Sequence, residues 1–395
     1  MFLRKRPKIP PAAPAEARPD GTDWASVFAV TLGITAFSTA QGLTYPLFSF
    51  LLDDRGASDG MVGLHAASFM LGLGVSVAIL PVLNRILRAR HLILAGLLIA
   101  VACLVGFAVI DDLFVWFLLR FMLGFCVNTI YVLGEAWLNA AATDDKRGRV
   151  AGIYGAGMAG GFAVGPLGIP LFGTGGGLAF AVCAAIVAAV AFVFTALLRR
   201  TRVEPGVVVL GQIFSFFRLA PLMVLIVIVY GVLDTTAIAI LPLYLTSGGL
   251  SQDIAAVFVV VLSAGMVMSQ PGVGLLLDRF DRWSVAIGCL VVTGLSLVAM
   301  LYLPIEGWLL WPVAAVLGAA YFGLYTSALA LLGQEYGGGT LVAGSAAFAL
   351  AYAVGGLIGP AATGTLMSVS VPGAFWFLIV ICVGTAVVTL RHRSV

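Results

Sequence analysis

Charge is what this sequence has least of. Asp, Glu, Lys and Arg make up 10% of its 395 residues, where a soluble domain carries about 25%. Too few charges are present to coat a surface in water, so a soluble globular protein is excluded. Histidine is scarcer still: His65, His91 and His392 are scattered along the chain and assemble no triad or metal cluster. His65 reads as a local hydrogen-bonding residue near the start of the second apolar stretch. The five cysteines (Cys103, Cys126, Cys183, Cys289 and Cys382) all fall inside apolar stretches. They have neither disulfide nor metal spacing and read as small packing residues. No G-x-x-x-x-G-K-[ST] phosphate loop occurs, so ATP is not the expected energy source. No enzyme motif is found, and no cofactor is expected.

What the chain has in abundance is apolar sequence. Hydrophobic residues form 61% of it and mean hydropathy is +1.11. Crossing a bilayer takes about 20 apolar residues. Twelve such stretches are present: 26–50, 60–83, 92–110, 114–140, 149–172, 178–198, 220–246, 254–277, 284–303, 308–333, 340–366 and 372–390. Backbone polar groups in lipid must be paired within the segment, so these are helices. The alternating pattern of a membrane barrel is absent. The expected fold is all-α and integral to the membrane.

Of the 21 Lys and Arg residues, all but Arg55 and Arg120 fall on one side if both termini are cytoplasmic. That bias sets the orientation and supports an even number of spans. The net charge of +3 therefore reports topology and not nucleic-acid binding. Residues 1–23 are polar and rich in Pro and Ala. They lack a signal peptide's apolar core and read as a disordered cytoplasmic tail. Residues 24–198 and 220–390 form two six-helix units. The basic segment 199–219 links them without room for a folded domain, and 391–395 is a short cytoplasmic tail.

The two units are copies of one another. Asn84-Arg85 returns 194 residues later as Asp278-Arg279, and Gly165-Pro166 returns at that offset as Gly359-Pro360. Gly124 and Gly318, Tyr131 and Tyr325, and Gly161 and Gly355 share the spacing. A duplicated bundle of apolar helices is the pattern of a secondary transporter.

Polar residues inside such helices are costly and carry function more often than not. At about 100° per residue, Arg120, Gly124, Asn128, Tyr131, Glu135 and Asn139 fall within one arc of the fourth helix. That stripe must face protein or water. Asp234 lies about 12 residues, or roughly 18 Å, from the inner end of helix 7, and Arg120 about 6 residues, or roughly 9 Å, from the outer end of helix 4. The two depths nearly agree in a core of about 30 Å. Asp234 then either takes up a proton on one side and releases it on the other, or pairs with Arg120. Glu135 is a second candidate for proton coupling, with an ion pair to Arg147 or Arg149 as the alternative. Gln41, at the 194 offset from Thr235, joins the same level, and Tyr321 and Tyr325 share a face four residues apart.

Several of these features resemble the major facilitator superfamily, and the resemblance covers essentially residues 24–390. That family carries G-x-x-x-D-R-x-G-R between helices 2 and 3. The second half here reads Gly274-Leu-Leu-Leu-Asp278-Arg279-Phe-Asp281-Arg282, with Asp281 where Gly is usual. The first half reads Leu80-Pro-Val-Leu-Asn84-Arg85-Ile-Leu87-Arg88 and has lost both Gly and Asp. The resemblance implies a gate at Asn84, Arg85, Asp278, Arg279 and Arg282. An acid near a helix start can bond to freed amides, and the arginines can bridge to neighbouring helix ends.

Gly152, Gly161 and Gly165-Pro166 in helix 5 resemble the motif C of antiporter branches, and Gly355 and Gly359-Pro360 repeat it in helix 11. These small residues allow close helix approach, with two compatible readings: ordinary packing of helices 5 and 11 against partners in the other half, or, as the resemblance implies, a gating role for Gly165, Pro166, Gly359 and Pro360 in proton-coupled export. Arg120-x-x-x-Gly124 resembles the family's helix-4 motif. Glu135-Ala-Trp137-Leu-Asn139 with Arg147-Gly-Arg149 is similar to a bacterial, YcaD-like branch. The resemblance implies a central cavity lined by helices 1, 4, 7 and 10, with Gln41, Arg120, Asn128, Tyr131, Tyr321 and Tyr325 as substrate contacts. It also implies a monomer in the bacterial inner membrane, surrounded by lipid, that moves a small molecule by alternating access, with protons as the coupling ion. A lipid flippase and a non-transporting sensor or assembly factor are the competing readings. A buried polar stripe favours transport over both, since a scaffold has no need to bury charge.

Overall fold

The computed structural model describes residues 21–143, 146–175, 177–198, 210–336 and 338–393. Twelve of its helices are long and apolar enough to cross a membrane, one for each predicted stretch. They are α1 (Trp24–Asp54), α2 (Asp59–Ile86), α3 (Ala89–Val109), α4 (Leu113–Glu135), α5 (Ile153–Phe172) and α6 (Leu178–Leu197) in the first half. The second half holds α7 (Pro221–Ser247), α8 (Gln252–Arg279), α9 (Arg282–Tyr302), α10 (Leu310–Glu335), α11 (Ala343–Val369) and α12 (Val371–His392). The helix of α4 runs on to Ala141.

Local sequence sets the boundaries. Side chains of Asp23, Ser58, Asp112, Ser251 and Asp281 accept backbone N–H groups at the starts of α1, α2, α4, α8 and α9, satisfying amides that have no intrahelical partner. Proline punctuates the interiors. Pro166 lies in a 3₁₀ turn, Gly165–Leu167, within α5. Pro242 and Pro271 sit at the restarts after breaks in α7 and α8, where the missing N–H costs least.

Packing repeats between the halves as the sequence does. α1 lies on α5 and α6, α2 on α4, and α3 on α4 and α6. α7 lies correspondingly on α11 and α12, α8 on α10, and α9 on α10 and α12. Shared glycines make the close crossings. A Cβ on Gly124 would strike the Phe69 backbone of α2, and one on Gly318 would strike Leu262 of α8.

The Gly-Pro motifs make contacts of two kinds. Gly161 and Gly165 face the α1 backbone at Thr35 and Thr39, and Gly355 and Gly359 face α7 at Ile228 and Val232. Their glycines thus face partners in their own half, while the turn Gly165–Leu167 also packs against α8 of the opposite half. α11 is nevertheless the main bridge between halves, through another face: Gly63 of α2 abuts Pro360, and Gly364 abuts Asp59 and Gly63.

The halves meet tightly at the end that carries the α1–α2 turn. Ser49 donates to the Ala239 carbonyl, and the Gly60 amide donates to Ser368 Oγ at 3.0 Å. Gln252 joins three segments there: its Nε2 donates to Asp54 at 2.9 Å and its Oε1 accepts from Thr174 at 3.1 Å. Thr174 and Ser368 stand at the 194 offset, so the two clasps are related by the repeat. Toward the other end a small apolar cavity lies between Leu80 and Asn84 of α2 and Ala346 and Ala349 of α11.

The link between halves holds more order than a bare linker. Leu210–Leu219 is helical, with Phe216 buried against Tyr336 and Phe348 at ring separations of 5.3 and 6.1 Å. Residues 1–20, 199–209 and 394–395, which carry most of the expected tail and linker, lie outside the described residues.

Candidate functional site

Arg120 is 1% exposed, held between α1, α2 and α4. Its Nη1 donates to Thr44 Oγ1 at 3.1 Å. Its guanidinium carbon lies 4.5, 4.8 and 5.0 Å from the ring centres of Tyr45, Phe48 and Phe69. Aromatic faces attract a desolvated cation, so the charge is stabilised within the first half. His65 is buried in the adjoining aromatic cluster, 4.6 Å from Phe48 and 5.2 Å from Phe117.

Asp234 is 3% exposed. One carboxylate oxygen accepts from the Tyr352 hydroxyl at 2.7 Å, and the other makes no hydrogen bond, although the Tyr321 hydroxyl, which turns to Met266, stands near the carboxylate. The ion pair with Arg120 entertained from depth is not formed. Tyr45 stands within electrostatic reach of both charges. Arg120 turns toward α1 and α2, while Asp234 turns toward α10 and α11. The stability losses of Arg120→Ala and Asp234→Asn, measured by thermal melting of single and double variants, should therefore add to within about 0.5 kcal/mol.

Around Asp234 the second half assembles tyrosines. Tyr230 lies one helical turn away on α7. Its ring centre is 5.0 Å from Tyr325, stacked, and 5.4 Å from Tyr352. Tyr321 is fully buried, 6.2 Å from Tyr230, and donates to the Met266 sulfur at 3.2 Å. The repeat partner of Tyr325, Tyr131, bonds Ser38 at 2.9 Å and donates to Gln41 Oε1 at 3.3 Å.

Glu135 opens the site to water. It is exposed although its helix is enclosed by neighbours, and its Oε1 accepts from Tyr154 at 2.7 Å. Tyr325 lies within its electrostatic reach. A path of partly exposed groups thus leads from Glu135 past Tyr325 and Tyr352 to Asp234. The alternative partners of Glu135, Arg147 and Arg149, have side chains outside the described residues, as does Asn139. Asn128 turns away from this path: its amide donates to Ser76 of α2, so the helix-4 stripe fans over three neighbours.

Between α8 and α9, Asp278 and Arg279 are exposed, whereas Arg282 donates to the Ala330 carbonyl of α10. The acid that caps a helix there is Asp281, which accepts the Ser284 amide at 2.9 Å. The expected capping role therefore belongs to Asp281, the residue that departs from the family pattern. Asn84 is half-buried beside the α2–α11 cavity, and Arg85 is exposed.

Sequence reasoning missed Tyr45, Tyr154, Tyr230 and Tyr352. The spacing of Tyr230 and Asp234 on one face was available as a signal. The other three come from helices whose rotation only packing reveals.

Twelve spans in two matched bundles, clasped at the end of the α1–α2 turn and holding buried charges, form a polytopic membrane protein of transporter type. The sequence matches the model of the Major Facilitator Superfamily over residues 30–360, and again over 223–395; the chain belongs to that superfamily. It is 27% identical over 354 residues to the uncharacterized MFS-type transporter YfkF of Bacillus subtilis strain 168, covering 86% of this chain and 88% of that one. It is 28% identical over 309 residues to the uncharacterized MFS-type transporter YcaD of Escherichia fergusonii, covering 78% and 79%. The crystal structure of the nucleoside transporter NupG superposes with a TM-score of 0.71 at 14% identity, covering 93% of this chain and 96% of that one. A bacterial homolog of the human lysosomal transporter Spinster, in an inward-facing and unoccupied conformation, gives 0.69 at 15% identity over 93% and 94%. These two likenesses speak to fold alone.

Proposed function

We propose that this protein is a proton-coupled secondary transporter of a small solute, working by alternating access and suited to export across a bacterial inner membrane. The observation that carries the reading is Asp234, a buried carboxylate at the seam between the halves. One of its oxygens is unpartnered, and neither an ion pair nor a hydrogen bond joins it to a Lys, Arg or His among the described residues. Such a group is costly to hold ionised in a dry core, and it can carry a proton between the two sides.

With both termini cytoplasmic, as the Lys and Arg distribution favours, the clasped end faces outward. The opposite end, with Glu135 and the Asn84 and Asp278 loops, faces the cytoplasm. The arrangement is then inward-open. Gln41, Arg120, Tyr131, Tyr321 and Tyr325 surround or support the central site, and the protein is expected to act as a monomer. The test begins with a thermal-shift screen of metabolites, sugars, amino acids and drugs, since a ligand stabilises the folded state by mass action. Each hit is then assayed in liposomes under an imposed pH gradient. Gradient-driven accumulation supports the reading, and flux indifferent to the gradient rejects proton coupling.

The two loops should contribute unequally to the opposite, outward-open state. Asp278→Asn removes a charge that Asn84 has already lost, so it should raise the inward-open population, while Asn84→Ala should change little. Spin-label distances across the cytoplasmic end would report this, and equal responses would refute the asymmetry.

A further inference from the structure

We infer that the central site takes an organic cation bearing an aromatic or other flat apolar group, bound between Asp234 and the tyrosine rings of the second half. The inference rests on the reading of Asp234 as the proton carrier and adds the substrate class.

Three observations lead to it. The first is the carboxylate. Asp234 presents one oxygen without a partner, so the site holds an uncompensated acceptor for a positive group. The second is its walls. Tyr230, Tyr325 and Tyr352 stand with ring centres 5.0 and 5.4 Å apart, and interplanar angles of 24° and 30° keep their faces nearly parallel. Ring faces attract cations most strongly where water is excluded, and aromatic groups stack on them. The third is the fate of the positive charge already present. Arg120 spends its guanidinium on Thr44 and on the faces of Tyr45, Phe48 and Phe69. Its Nε has no hydrogen-bond partner, but the guanidinium lies among those rings, so no Lys, Arg or His among the described residues pairs with Asp234. The route inward passes Glu135, a second acid.

The chemistry of exchange follows. A protonated Asp234 loses the hydrogen of its carboxyl O–H to water, and the ammonium of the ligand takes the place of that proton beside the carboxylate. Proton and ligand therefore exclude one another at one group, which is the requirement for antiport. The titratable groups that face Asp234 are Tyr230 on its own helix, Tyr45 from α1, Tyr321 from α10 and Tyr352 from α11. None of them is a cation that would hold the carboxylate ionised.

Phenyltrimethylammonium is the probe, with its neutral isostere tert-butylbenzene and the anion 4-tert-butylbenzoate as controls. Binding to the purified full chain is followed by melting temperature and calorimetry, with proton release read by a pH indicator in weak buffer. We expect the cation alone to bind, more weakly as pH falls, and to release protons on binding. Asp234→Asn, checked for folding by size exclusion, should weaken it roughly tenfold or more. Tyr230→Leu should weaken it by a smaller factor, because it removes one wall and leaves the carboxylate. Equal binding of cation and isostere, or cation binding unchanged in Asp234→Asn, overturns the inference. Preferential binding of the benzoate also overturns it. If proton-driven transport of another solute then still requires Asp234, only the substrate class has failed; if it does not, the proton reading has failed with it.

Discussion

Replacing Asp234 with Asn is expected to abolish uphill, proton-driven accumulation of substrate. The substitution keeps the shape of the side chain and an oxygen to accept the Tyr352 hydroxyl, whose bond to Asp234 is 2.7 Å. The fold should therefore survive, with a change in stability of about 1 kcal/mol or less, in the range of one neutral hydrogen bond. What disappears is the only group at that position that can gain and lose a proton. In liposomes with an imposed pH gradient, the Asn variant should equilibrate its substrate and never concentrate it. Accumulation equal to that of the unaltered protein would remove Asp234 from the coupling mechanism. Exchange of labelled for unlabelled substrate adds a second reading. A neutral solute should exchange normally through the variant, whereas a cationic one should exchange only at raised concentration, because the rings remain but the countercharge is gone.

Much of this site was legible in the sequence. Burying Arg120 and Asp234 in apolar helices is expensive enough that composition alone marks them, and the 194-residue repeat fixes which helices correspond. The spans followed from length and hydropathy, because lipid permits so few alternatives. What one dimension leaves open is rotation about each helix axis. Depth placed Arg120 and Asp234 at one level and suggested a pair, but α4 presents Arg120 to a pocket of aromatic rings in its own half. The same gap explains Asp278 and Asp281. Asp278 lies in the last turn of α8 and Asp281 just before α9, and which of them reaches the freed amides depends on where α9 starts. It also explains the Gly-Pro motifs, whose small faces signal close packing without naming the neighbour. The glycines face α1 and α7, and the seam between halves is built from Gly63, Gly364 and the second motif's own Pro360.

That division of labour among glycines predicts two different failures. Gly355 lies against the α7 backbone within one half, and a Cβ there would strike Ile228 and Val232. Because a half must keep this contact in every state, Gly355→Val should destabilise the protein throughout the cycle. Overpacking a tight core costs about 1–3 kcal/mol, and it should appear as a lower melting temperature and poorer yield. Gly63 lies between the halves, where a Cβ would strike the Pro360 carbonyl. That contact is needed only while the clasped end is shut. Gly63→Val should leave each half folded and the melting temperature nearly unchanged, but it should hold the clasped end open. The Gly60–Ser368 bond and the Gln252 bridge to Asp54 and Thr174 should be lost with it. Cysteines introduced at Asp59 and Thr365 would then label readily from that side, and transport would stop. If Gly63→Val instead melts early and labels as the unaltered protein does, α2 and α11 form a permanent contact and the moving seam lies elsewhere.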